Sequence, residues 1–205
     1  QAMYAAKQSG RNKFCFFTPE MRQAAWVHGK RVNELRHAVA ARQLQVLYQP
    51  IVELDGGAVI GAEAQLVWQH PDTGPMPAGS FADLIEEAGL LTEIDDLVLK
   101  DALRRAEEWG ELHGSPVYVS IEKSSLPLSS TATEQQCSAI LERINQSRSP
   151  VALEVTEAML LAEAPGRVDV LRELARSGVP LCIDGFGAGY SSLTSLTRLP
   201  LAGLR

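Results

Sequence analysis

The sequence predicts an α/β protein in which parallel strands alternate with helices, as in a TIM-like (β/α) barrel that is incomplete at its C-terminus. Apolar strand patterns at 117–122, 151–155 and 179–184 alternate with helical patterns at 134–146 and 166–177. Alternation at these lengths is typical of parallel βα units. Such barrels typically need about 250 residues and eight strands, and this chain offers a pattern for roughly six. We therefore expect a partial barrel.

The first half of the chain predicts a hairpin entry into that sheet. Residues 1–17 have the pattern of a helix that ends at Gly10 and a short strand, and this helix begins without a cap, as if cut from a longer chain. A helix is predicted over 18–45, opened by Thr18 and Pro19 and carrying an apolar face at helical spacing. The remaining predicted elements, in order, are a strand at 46–54, a turn at 55–57, a strand at 59–68, a loop at 71–79 and helices at 81–88 and 94–109.

Composition narrows the class of function. The chain is 45% apolar and 21% charged, with a net charge of −6, which is typical of a globular protein and unlike a general nucleic-acid binder. It holds three widely spaced cysteines and no histidine pair at helical spacing, so we expect reduced thiols in a cytoplasmic compartment and no histidine-rich metal site. No signal peptide and no apolar run long enough to span a bilayer is seen in these residues.

Acidic side chains stand at or near the carboxyl ends of four predicted strands. They are Glu63, Glu122, Glu154 and Asp184. The carboxyl ends of parallel strands form the face on which barrel sites are built, and an oxygen-rich cluster is the ligand set that Mg²⁺ and Mn²⁺ prefer. Two such ions can activate a water and stabilise the leaving oxygen of a phosphodiester. The alternative is that some of these acids cap helices or are simply solvated.

A glycine-rich loop follows the last of these acids. It reads Asp-Gly-Phe-Gly-Ala-Gly-Tyr-Ser-Ser over 184–192. A dinucleotide-binding interpretation is disfavoured because the glycine spacing is G-x-G-x-G rather than G-x-G-x-x-G.

Motifs across residues 32–205 resemble the EAL domain of cyclic-di-GMP phosphodiesterases. They occur in the family's order at 47–52 (Leu-Tyr-Gln-Pro-Ile-Val), 61–68 (Gly-Ala-Glu-Ala-Gln-Leu-Val-Trp), 81–90, 153–157 (Leu-Glu-Val-Thr-Glu) and 184–193. The resemblance implies a TIM-like barrel of EAL type, a metal-dependent hydrolysis of cyclic-di-GMP to the linear dinucleotide, and a homodimer formed through this domain.

The resemblance also assigns roles to individual residues. Glu63, Glu154 and Asp184 match metal-binding positions, and Glu122 falls where the family has a metal-binding asparagine. Gln49 matches a ligand-contacting glutamine. The remaining matched positions are Glu157, which corresponds to a glutamate that steadies the loop after Asp184, and Arg205, which falls on a lysine that positions the attacking water.

Several positions depart from the family pattern. Gly185 replaces the second of two consecutive aspartates, and Val67 replaces an arginine that contacts phosphate. Gln65 replaces the leucine of the three-letter motif and makes the ligand-facing wall more polar, while Arg205 keeps a positive charge but cannot be deprotonated. We therefore expect impaired catalysis, with a role as a cyclic-di-GMP receptor or regulatory module. The alternatives are an active phosphodiesterase using Mg²⁺ or Mn²⁺, and an interaction scaffold that binds no nucleotide.

The beginning of the chain carries a second resemblance. Residues 1–17 are similar to the C-terminal end of GGDEF diguanylate cyclase domains, whose ends commonly read A-M-Y-x-A-K-x-x-G-R-N. The predicted organisation is therefore the end of a GGDEF-type domain at 1–17, a linker helix at 18–31 and a partial EAL domain at 32–205.

Overall fold

A single mixed sheet organises the protein. The computed structural model describes residues 18–122, 142–144, 147, 150–156, 167–187 and 200–204. Its strands are β1 (Leu44–Val52), β2 (Val59–His70), β3 (Gly74–Pro77), β4 (Tyr118–Glu122), β5 (Val151–Thr156), β6 (Leu181–Asp184) and β7 (Gly203–Leu204). The order across the sheet is β1-β2-β4-β5-β6-β7, with β3 paired to β2.

Strand direction confirms the predicted architecture. β1 is antiparallel to β2, and the pairs β2–β4, β4–β5, β5–β6 and β6–β7 are all parallel. Parallel neighbours require crossover connections, and among the described residues the helices Leu91–His113 and Arg167–Arg176 lie in the connections of β2–β4 and β5–β6. Within the described residues the sheet is an open arc with β1 and β7 at its two ends, and this is the geometry of a partial TIM-like barrel.

Four helices have both ends within the described residues, and residues 142–144 are also helical. The four are α1 (Pro19–Ala40), α2 (Ala82–Ala88), α3 (Leu91–His113) and α4 (Arg167–Arg176). Thr18 caps α1, since its hydroxyl accepts a hydrogen bond from the Met21 amide at 3.3 Å, and Pro19 occupies the first turn. α1 runs unbroken to Ala40, across the predicted boundary between residues 31 and 32.

The segment at 71–79 differs from the predicted loop. Residues Gly74–Pro77 form the short strand β3, which pairs antiparallel with the second half of β2, and a single 3-10 turn follows at Ala78–Ser80. Proline has no amide proton to donate and is therefore confined largely to sheet edges. Pro75 and Pro77 are tolerated because β3 pairs with β2 and no other described strand.

The core lies on the helix-covered face of the sheet, which we call the outer face. Side chains alternate along each strand, so every second residue points to this face. Its buried members belong to the same cluster as the apolar stripes of α1 and α3. The outer-face residues of that cluster are Leu44, Ala64, Leu66, Trp68, Val119, Ile121, Val151, Leu153, Val155, Leu181 and Ile183.

The predicted elements at 1–17 lie outside the described residues, as does most of the helix predicted at 134–146. Among the described residues, no helix is both long and apolar enough to cross a membrane.

Candidate functional site

The opposite face of the sheet, which we call the inner face, carries the predicted site residues. Parallel pairing sets Glu63 level with Ser120 of β4, and Glu122 level with Glu154 of β5. Asp184 is level with Thr156, one pleat further along. Since all these positions share the same alternation, their side chains point to one side of the sheet. The structure therefore brings the four predicted metal ligands to one face. Glu122, Glu154 and Asp184 lie at or near the carboxyl ends of their strands, whereas Glu63 lies in the first half of β2, which runs on to His70, so its predicted place at a strand end is wrong.

The acids on the inner face interact electrostatically. Burial raises the pKa of the Glu122 carboxyl above its ordinary value, and the negative charges of Asp184 and Glu63 raise it further. Glu154 is more deeply buried, with 1% of its surface exposed. A buried carboxylate is unfavourable unless it is paired, hydrogen-bonded or bound to a cation. The inner face therefore places several carboxylates where a bound cation would stabilise them.

The donor set suits a hard divalent cation. Carboxylate oxygens are the ligands that Mg²⁺ and Mn²⁺ prefer, and a cation would relieve the repulsion felt by Glu122. In the part of the chain that the structure describes, no three His, Cys, Asp or Glu side chains already form a group that could hold a metal ion.

The predicted ligand-contacting residues adjoin these acids. Gln49 of β1 lies directly opposite Glu63 of β2. The Gln65 amide nitrogen donates to Gln49 Oε1 at 2.9 Å and to Glu63 Oε1 at 3.3 Å. Val67 shares the same face but is buried, with 8% of its surface exposed, so it offers only apolar contact.

Beneath the acids, the inner face is closed by residues that the sequence did not single out. The Tyr118 hydroxyl of β4 lies 3.3 Å from Cys182 Sγ of β6, and this contact passes over the intervening strand β5. The Tyr118 ring crosses Gly61, where an added Cβ would stand 2.9 Å from ring atom Cδ1 and 2.6 Å from the Tyr118 carbonyl oxygen. Strand alternation in the sequence could have placed this layer on the inner face, because Gly61, Tyr118 and Cys182 each lie an even number of residues from an acid on the same strand.

The loop after Asp184 begins with a left-handed turn. Gly185 has φ +68°, and its missing side chain would meet no atom within 4 Å. Gly187 has φ +87° and is equally open. The remainder of this loop, at 188–199, lies outside the described residues, as do the predicted Glu157 and Arg205.

Comparison with known proteins identifies the family. A model of the EAL domain matches residues 32–205. The chain belongs to the EAL domain family. It is 36% identical over 204 residues to the bifunctional diguanylate cyclase/cyclic di-GMP phosphodiesterase MucR of Pseudomonas aeruginosa, covering 100% of this chain and 30% of the relative. It is 32% identical over 204 residues to the cyclic di-GMP phosphodiesterase PdeR of Escherichia coli, covering 100% of this chain and 31% of that relative.

Solved EAL structures share the fold. The PaMucR phosphodiesterase in its c-di-GMP complex superposes with a TM-score of 0.75 at 33% identity, covering 85% of this chain and 71% of that one. The EAL enzyme Bd1971 in its cGMP-bound form gives a TM-score of 0.75 at 25% identity, covering 89% of this chain and 51% of the other. The chain spans less than a third of the length of the curated relatives MucR and PdeR.

Proposed function

We propose that this EAL domain is a module of bacterial cyclic-di-GMP signalling that binds the dinucleotide on its inner face and hydrolyses it poorly. The observation that carries this proposal is Gly185. It follows Asp184 directly, where the resemblance predicts a second aspartate, and it provides no side-chain ligand. The names of the relatives and the c-di-GMP complex of PaMucR support the choice of ligand.

Glu63, Glu122, Glu154 and Asp184 would hold Mg²⁺ or Mn²⁺ in this site. The bound ion would supply activation of a water and stabilisation of the leaving oxygen in phosphodiester cleavage. The chain's own groups orient the ligand, with Gln49 and Gln65 presenting amide groups beside the acids. Val67 supplies no charge to a phosphate, which forgoes a charge-assisted contact of about 1.5–3 kcal/mol.

Metal-dependent phosphodiesterase activity is the second candidate function. Retention of four carboxylates on one face favours it, since Glu122 replaces an amide and offsets the loss at position 185. Arg205 and Glu157 keep their proposed roles in positioning the water and steadying the loop under this candidate.

We also propose a homodimer formed through this domain, the cytoplasm as its location, and the assignment of residues 1–17 to a GGDEF-type domain and 18–31 to a linker.

Calorimetry and product analysis test the proposal together. We expect the full chain to bind cyclic-di-GMP, with at most slow conversion to the linear dinucleotide in excess Mn²⁺. Binding with rapid conversion would instead establish the second candidate. No heat of binding with or without Mn²⁺ would refute both and leave an interaction scaffold.

The Gly185→Asp variant tests the observation itself. Space for the side chain is open at this position, and a left-handed conformation costs an L-residue about 1–2 kcal/mol, with aspartate among the better tolerated. We expect tighter Mn²⁺ binding and at least a tenfold faster hydrolysis. Gly187→Asp is the matched control, because it adds the same charge and similar backbone strain on the same loop. Equal gains in both variants would contradict a specific role for position 185.

A further inference from the structure

Gln65 is the polar side chain that joins two parts of the candidate site. Its amide nitrogen contacts Glu63, two residues away on β2, and Gln49, on the neighbouring strand β1. Gln49 lies opposite Glu63 in the register rather than opposite Gln65, so the contact between the glutamines is diagonal across the pair of strands. Such diagonal neighbours are within reach of long side chains.

Hydrogen-bonding capacity fixes the direction of this chain of contacts. An ionised carboxylate can only accept, and a glutamine nitrogen carries two protons. The group that Gln65 turns toward Glu63 is therefore its nitrogen, whose second proton goes to Gln49. Gln49 must then present its oxygen to Gln65, which leaves the Gln49 nitrogen and both of its protons directed away from Gln65.

We propose that Gln65 is a positioning residue that uses the charge of Glu63 to hold Gln49 as a hydrogen-bond donor toward the ligand. The proposal rests on the proposed binding of cyclic-di-GMP, and it specifies that the ligand atom facing Gln49 is an acceptor, such as a phosphate or carbonyl oxygen. A leucine at position 65 could make neither hydrogen bond, so the proposed orientation of Gln49 depends on the glutamine that this chain has at position 65.

A second glutamine pair on the same two strands supplies an internal control. The Gln69 nitrogen donates to Gln45 Oε1 at 3.3 Å, with the same residue types on the same face of β1 and β2. Among the described residues, the Gln69 side chain makes no hydrogen bond to a carboxylate. Gln69→Leu therefore removes a matched hydrogen bond without touching the proposed connection to Glu63.

A double-mutant cycle on the full chain tests the inference. Cyclic-di-GMP affinity is measured by calorimetry for Gln49→Leu, Gln65→Leu, the double variant and Gln69→Leu. We expect each single variant at 49 and 65 to weaken binding about three- to tenfold. The double variant should bind no more weakly than Gln49→Leu alone, because Gln65 acts through Gln49. Gln69→Leu should stay within about twofold of the wild type.

A ligand-free measurement accompanies the cycle. In ¹⁵N NMR spectra, the Gln49 side-chain amide signals should shift in Gln65→Leu and stay in place in Gln69→Leu. Unchanged Gln49 signals in Gln65→Leu, or losses of affinity that add in the double variant, would overturn the positioning role while leaving cyclic-di-GMP binding intact. Absence of binding by the wild-type chain would overturn the proposed function and this role with it.

Discussion

The two faces of the sheet differ in what their residues do. The outer face is continuous with the apolar stripes of α1 and α3, and the strand residues that belong to this core cluster are almost completely buried. The inner face carries carboxylates, amides and small residues, and parts of it are open, since Leu47 on that face has 48% of its surface exposed. The contrast shows how one set of strands can separate stability from chemistry by alternation alone.

Adjacent residues make this separation sharp. Ile121 precedes Glu122, Leu153 precedes Glu154 and Ile183 precedes Asp184, so in β4, β5 and β6 a core residue stands directly next to an acid. A slip of one residue in register would exchange the two faces and bury the acids among helices. The buried outer face therefore also fixes the alignment of the candidate site.

The largest effect on stability should come from substituting the buried member of one such adjacent pair. Ile183 is fully buried, and Ile183→Ala should lower the free energy of unfolding by about 2–5 kcal/mol because it leaves a cavity. Asp184→Asn, on the other face, should change it by less than about 1 kcal/mol while weakening Mn²⁺ binding. Urea unfolding and metal titration measure the two effects. Equal destabilisation by both variants would break the distinction between the faces.

A smaller effect is expected where the inner face is tightly packed. In Gly61→Ala the new methyl group would lie 2.6 Å from a backbone oxygen of Tyr118, so β2 and β4 must move apart. We expect a loss of about 1–3 kcal/mol in unfolding free energy.

Gly56→Ala is the matched control, since its nearest atom would be a flexible Glu53 oxygen at 3.9 Å. This variant should stay within about 1 kcal/mol of the wild type. If Gly61→Ala proved as stable as Gly56→Ala, the layer beneath the acids would not be tightly packed at Gly61.

The smallest effect concerns the pH dependence of stability in metal-free buffer. The folded state raises the pKa of Glu122, through burial first and then through Asp184 and Glu63, so the folded chain holds this proton more tightly than the unfolded chain. Stability must then fall as pH rises through the ordinary glutamate pKa toward the raised one. Glu122→Gln should therefore be more stable than the wild type at pH 7, with the difference vanishing below about pH 4. Thermal unfolding across pH with a chelator measures this difference, and added Mn²⁺ should reduce it. Identical profiles would show that folding does not raise the pKa of Glu122.

The sequence was sufficient for most of the outer face and its elements. Strands predicted at 117–122, 151–155 and 179–184 correspond to β4, β5 and β6, because consecutive apolar residues and parity are local signals. The strand β3 was missed, since Gly74-Pro75-Met76-Pro77 has turn composition and forms a strand only by pairing with the second half of β2.

The shared face of the four acids was predictable from the sequence, but their side-chain contacts were not. Glu122, Glu154 and Asp184 could be placed at or near strand ends, Glu63 lies in the first half of β2, and the register explains why all four share a face. The Gln65 contacts to Gln49 and Glu63, and the Tyr118–Cys182 contact between β4 and β6, depend on side-chain reach across strands. Such non-local geometry leaves no periodic trace in the sequence.

The uninterrupted helix α1 has a mechanical consequence for this domain. Its 22 residues span about 33 Å, and Val32, Leu35 and Ala38 anchor its second half in the core. Side-chain contacts from His28 to Glu87 and from Arg36 to the Ala88 carbonyl tie it to α2. Glu34 Oε2 of α1 also lies 3.6 Å from His70 Nε2 at the end of β2. A force applied near Pro19 would therefore act on α2 and on the end of β2, the strand that carries Glu63.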